Sequence, residues 1–123
     1  MSPRVAPVAV LVLALLVPLA VPRRSVHDWK ESTFQPDPLE RRLAAIALRE
    51  AEEEDWTRAI KLLGVLARDR EQATRIASVE SLVHLARRAS ELVGAEGDHP
   101  AAERAYSALS ELGLPEVSAA LGG

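Results

Sequence analysis

Cysteine is absent from the chain, and aromatic residues nearly so: two Trp, one Tyr and one Phe in 123 residues. Without cysteine there is no disulfide, thiolate nucleophile, iron–sulfur ligation, Cys-bound zinc or acylated lipoprotein cysteine. So few rings leave the core to Leu, Ala, Val and Ile. That set packs well between close helices and poorly in a sandwich or barrel. Neither sign of charge dominates, with 15 Lys and Arg against 18 Asp and Glu. The net charge of −3 lacks the basic excess of a nucleic-acid binder. No phosphate-cradling glycine loop, nucleophile elbow, zinc-protease helix motif or EF-hand spacing occurs.

What the chain has is an apolar start and a helical body. Val5 to Val21 is almost wholly apolar, preceded by Arg4 and followed by Arg23 and Arg24. A basic start and an apolar run of that size read as a secretory signal or a signal anchor over residues 1–21. A spanning helix takes about 20 apolar residues, and Pro7 and Pro18 shorten this one. Both readings place the protein at the cell envelope, either exported or periplasmic, or anchored in the membrane through residues 5–21. Residues 22–36, between Pro22 and Pro36, show neither helical nor strand period and read as an extended linker. Trp29 and Phe34 stand on it. They either pack back on the body, rest on a membrane surface, or form a short docking motif. His27 beside Asp28 resembles a catalytic pair only by adjacency, with no nucleophile placed by the pattern.

Residues 37–121 form the body. Asp37-Pro38-Leu39-Glu40 is a helix start, with Asp37 as N-cap, Pro38 at N1 and Glu40 completing a capping box. Leu39, Leu43, Ala44, Ile46, Ala47, Leu48 and Ala51 form the predicted buried arc. The acidic run Glu52 to Asp55 opposes a helix C-terminus and marks a break. Trp56 to Ala67 is the next helix. Asp69, with Gln72 three residues on, is the expected cap of a central helix over Ala73 to Val93. Its predicted apolar arc is Ile76, Val79, Leu82, Val83, Leu85, Ala86, Ala89, Leu92 and Val93, wide enough to pack on both flanks. Glu80, Ser81, His84, Arg87, Arg88 and Glu91 fill the polar arc. Gly94 and Gly97 end this helix, Asp98 or His99 with Pro100 starts another, Gly113 stops it, and Pro115 opens a last short helix to Leu121.

Three segments align at Leu48, Leu82 and Leu109, with separations of 34 and 27 residues. Spacings of that order indicate stacked helical hairpins. Ala102 to Leu121 (AERAYSALSELGLPEVSAAL) carries Ala105, Ala108, Leu109, Leu112, Gly113 and Pro115. The central segment carries Arg75, Ala77, Leu82 and Leu85, and the first Arg42, Ala44, Ala47 and Leu48. In these residues the chain resembles HEAT-like repeats of the PBS-lyase type. The resemblance implies an all-α fold of two to three antiparallel hairpins stacked as a short right-handed α-solenoid, and a surface for partner proteins. It also implies that Arg75 pairs with an acid at a repeat junction. The His-Glu dipeptides of iron-binding HEAT enzymes are missing. A weaker resemblance is to tetratricopeptide repeats, through Leu43, Ala47, Ala59 and Leu63 and again Gly97, Ala102 and Tyr106, two sets 43 residues apart (Ala59 to Ala102).

No convergent catalytic or metal-ligating set is visible, and no cofactor is expected. His84 reads as part of a solvated face, with Glu80–His84 and Arg87–Glu91 as one-turn pairs. The expected function is therefore a non-catalytic protein-interaction module whose partner is another protein or a second copy. The other readings are an accessory envelope protein without a binding face and a tetratricopeptide-type adaptor. The candidate contacts are Trp29, Phe34, Trp56, His84, Arg87, Arg88 and Tyr106, although the helix-start position of Trp56 favours a core or staple role for it.

Overall fold

A computed structural model describes residues 26–122 of the protein. The signal or anchor expected over residues 1–21 lies outside the described residues. Within them the fold is all-helical: α1 (Val26–Thr33), α2 (Pro38–Ala47), α3 (Trp56–Leu66), α4 (Gln72–Val93), α5 (Pro100–Glu111) and α6 (Pro115–Ala120). Two single 3-10 turns, Leu48–Glu50 and Glu53–Asp55, connect α2 to α3.

The boundaries follow local chemistry. Asp37 accepts a hydrogen bond from the Leu39 N–H at 3.0 Å, and Pro38 occupies the first turn of α2. The acidic run puts its 3-10 turn just ahead of the positive end of α3, where carboxylates are favoured. Gly113 follows α5 with φ +68°, a left-handed stop that costs glycine little. Gly64 permits a close approach instead, since a Cβ there would lie 3.0 Å from Leu112 Cδ2.

The helices contact one another in two rows. α1, α3 and α5 touch in succession, as do α2, α4 and α6, and the rows pack face to face. α2 and α4 run in the same sense: Arg42 reaches Glu71, Ser81 reaches the Ala45 carbonyl, and Arg88 reaches the Arg49 carbonyl. The long α4 is the axis of the core and touches α2, α3, α5 and α6. Leu82, Leu85, Ala86 and Ala89 are buried there with Leu48, Trp56, Ile60, Leu63, Leu66, Leu109 and Val117. Each fully buried Leu, Ile or Val contributes about 1.5–3 kcal/mol. Small residues let the helices approach closely. Ser78 donates to the Leu63 carbonyl on α3, and Ser81 donates to the Ala45 carbonyl on α2.

Several expectations are corrected. Residues 22–36 are not extended throughout, because Val26–Thr33 is a helix that buries Val26, Trp29, Ser32 and Thr33 against the body. Its burial against α2 and α3 supplies what an eight-residue helix lacks by itself. Ser81 belongs to the interior rather than the polar arc, since its hydroxyl finds a carbonyl on the neighbouring helix. Leu39, Ile46, Ile76 and Val93 are exposed rather than buried, while Arg41 and Ala45 are inside. The cap of α4 is Glu71. Asp69 accepts the Glu71 N–H at 2.8 Å and faces Arg41.

Candidate functional site

Aromatic side chains expected at a partner surface divide between core and solvent. Trp56, the first residue of α3, is wholly enclosed, and its indole N–H donates to the Ala51 carbonyl at 2.9 Å. Trp29 is only 4% exposed. Both fill the interior as large apolar side chains do when their polar tip finds a partner. Tyr106 is half-buried and donates its hydroxyl to the Leu121 carbonyl at 3.3 Å, closing α6 onto α5. Phe34, by contrast, is 63% exposed just beyond α1.

The charged candidates lie on α4. His84 and Arg87 are exposed, and neither Glu80–His84 nor Arg87–Glu91 is an ion pair among the described residues. Arg88 is half-buried. Its guanidinium carbon stands 5.0 Å from the centroid of the Trp56 ring, a cation–π distance. One Arg88 Nη reaches the Arg49 carbonyl at 3.5 Å, the outer edge of hydrogen-bond range. Arg49 donates its Nε–H to the Ser81 hydroxyl at 3.2 Å. One patch, where the end of α2 meets the C-terminal half of α4, thus gathers Arg49 and Arg88, with His84 one helical turn before Arg88. Arg49 was not anticipated. The expected helical arc runs on through Ala51, whereas α2 ends at Ala47 and Arg49 sits in a 3-10 turn that redirects it.

The other end of the same seam holds a different arginine set. Arg41, 6% exposed, donates its Nε–H to Asp69 at 2.7 Å and an Nη–H to the second carboxylate oxygen at 3.3 Å. Its other Nη donates to the Gln35 and Pro36 carbonyls at 2.9 and 2.8 Å. Arg42 donates to Glu71 at 2.7 and 3.2 Å, and Glu71 also accepts the Thr74 hydroxyl at 3.0 Å. The side-chain hydrogen bond to Asp69 raises the Arg41 pKa, against burial, which opposes it. Burial works to raise the Asp69 carboxyl, but the bonds from Arg41 and the Glu71 N–H outweigh it and hold the group below the usual range. Hydrogen bonds from Arg42 and Thr74 lower Glu71 likewise. Arg75, expected to meet an acid, donates to the Asp69 carbonyl at 2.8 Å. The buried arginine at this end of the seam is Arg41.

Beside α1, Asp28, Glu31, Ser32, Gln35 and Glu40 line an open acidic cleft of about 640 Å³, across which Ser32 donates to Glu40 at 3.2 Å. Among the described residues no three His, Asp or Glu side chains converge as a metal site. His27 is exposed on α1. No helix among the described residues is long and apolar enough to cross a membrane.

Compared with protein-family models, with curated proteins and with solved structures, the chain finds no match.

Proposed function

We propose that the protein is a non-catalytic interaction module of three stacked helical hairpins, exported or held at a membrane through its N-terminal apolar segment. The observation that carries this reading is the alternation of helices between two rows. Pairing them as α1–α2, α3–α4 and α5–α6 gives a stack in which each hairpin covers a face its neighbour could not bury alone, as in helical-repeat proteins. Such stacks work by presenting an extended surface, and here the outer arc of α4 presents His84 and Arg87 beside the half-buried Arg88.

Helix starts recur unevenly along the two rows, 30 and 44 residues apart for α1, α3 and α5 and 34 and 43 for α2, α4 and α6, so the hairpins repeat in arrangement rather than in length. The segment centred on Leu109 lies on α5, in the α1–α3–α5 row, and the third member of the other row is α6.

A photo-crosslinking residue placed at His84 in the full chain, within its own cells, tests the proposal. The same residue placed at exposed Arg104 on α5 is the comparison. A discrete crosslinked species, either a partner or a second copy, is expected from His84 and not from Arg104. No crosslink at either position, or the same smear from both, would remove the basis for an interaction face on α4.

A further inference from the structure

The further inference concerns the partner's chemistry and rests on the interaction reading above. Arginine has five N–H donors in a fixed fork. In Arg41 every nitrogen is engaged: Nε and one Nη on Asp69, the other Nη on two carbonyls. Arg49 engages only Nε, on Ser81. Arg88 engages only one Nη, at 3.5 Å, on a carbonyl. Neither has a carboxylate partner among the described residues. Both are nevertheless half-buried and held in place, Arg49 by a hydroxyl that is itself wholly buried and Arg88 by the enclosed Trp56 ring. A rigid, partly desolvated guanidinium has already lost the freedom that ligand binding would otherwise remove. It matches a carboxylate in two-point fashion.

We propose that Arg49 and Arg88 form a seat for a single carboxylate presented by a protein partner. The flanking charges restrict the occupant to one anionic group. Exposed Glu50 adjoins Arg49, and exposed Glu80 and Glu91 lie within one turn of His84 and Arg88 on α4. The chain as a whole is acidic. Nucleic acid or an anionic bilayer would bring many charges against these carboxylates. One Asp or Glu on an otherwise uncharged segment meets the two guanidiniums without that repulsion.

The arginine side-chain N–H resonances of the isotope-labelled full chain, kept in a nonionic detergent, report on the seat directly. The probe is the capped peptide Gly-Glu-Gly, set against its Gly-Gln-Gly counterpart and against inorganic phosphate at matched ionic strength. The Glu peptide is expected to give saturable shifts at Arg49 and Arg88 and none at exposed Arg104. Arg88→Gln and Arg49→Gln should each weaken saturation about tenfold, and two variants guard against one that misfolds, judged by the indole resonance of buried Trp29. Equal shifts from the Gln peptide, or shifts at Arg104 that track the others, would overturn the seat. Saturation by phosphate without saturation by the Glu peptide would overturn the carboxylate assignment. A His84 crosslink that survives either result would preserve the interaction module and reject only this seat.

Discussion

The two ends of the α2–α4 seam use the same residue type to opposite effect. At the leading end Arg41 and Arg42 meet Asp69 and Glu71 at 2.7 Å each. Arg41 is also tied to the carbonyls of Gln35 and Pro36, so one side chain fastens the α1–α2 turn to the α3–α4 turn. At the trailing end Arg49 and Arg88 lean on a hydroxyl, a carbonyl and an indole face. The first arrangement is closed. Its charges are mutually satisfied, and removing Arg41 leaves the largely buried Asp69 without its counter-ion. The second is open, with donors still available to a ligand. An arginine's role in this fold is thus set by what its nitrogens already hold, more than by how deeply it sits.

The largest expected effect strikes the support beneath the open end. Trp56→Ala removes a wholly enclosed indole and should cost ~3–5 kcal/mol in chemical denaturation. It should also free Arg88, seen as loss of order at its side-chain N–H.

Next comes the closed end. Arg41→Gln should lower Tm by several degrees, because the Asp69 carboxylate keeps its burial and loses its counter-ion. The folded state lowers the Asp69 and Glu71 pKa values. Their contribution is therefore complete above the unfolded carboxylate pKa of about 4 and disappears as pH falls through the lower folded values. Wild-type Tm should fall on that acid limb, and Arg41→Gln should flatten it. A variant whose Tm keeps the wild-type acid dependence would show that Arg41 does not hold Asp69.

Smaller effects refine the contrast. Ser81→Ala deletes the hydroxyl that links α4 to the Ala45 carbonyl and to Arg49. It should cost about 1 kcal/mol in urea unfolding and loosen the trailing end without touching the Arg41 corner. Arg88→Gln should cost about 0.5–1 kcal/mol, the worth of its contact with the Trp56 face. Leu39→Ser, at a position 56% exposed, should stay within about 0.5 kcal/mol of wild type. A larger loss would mean that the outer face of α2 is covered in solution.

Helices with a start or stop written in their own residues were legible. Asp37-Pro38 opens α2, Pro100 opens α5, and Gly113 with Pro115 separates α5 from α6. The wide apolar arc of α4 foretold contacts on both sides. α1 was missed because its eight residues hold barely two turns of period. Val26, Trp29 and Thr33, spaced i, i+3 and i+7, were the available signal. Ser78 and Ser81 were unreadable as core, because a serine counts as polar until a neighbouring helix offers its hydroxyl a carbonyl. Ile76 and Leu39 show the reverse, apolar by type and exposed by position. At the candidate site, Arg88 and His84 were legible from the α4 polar arc. Arg49 and the burial of Trp29 depend on which helices meet, which no local pattern states.

The most direct test of the contrast is to melt Arg41→Gln and Arg88→Gln side by side at neutral pH. The account predicts a Tm loss of several degrees for Arg41→Gln and a clearly smaller one for Arg88→Gln. Equal losses would contradict it, because the trailing arginines would then be structural cations like those at the leading end.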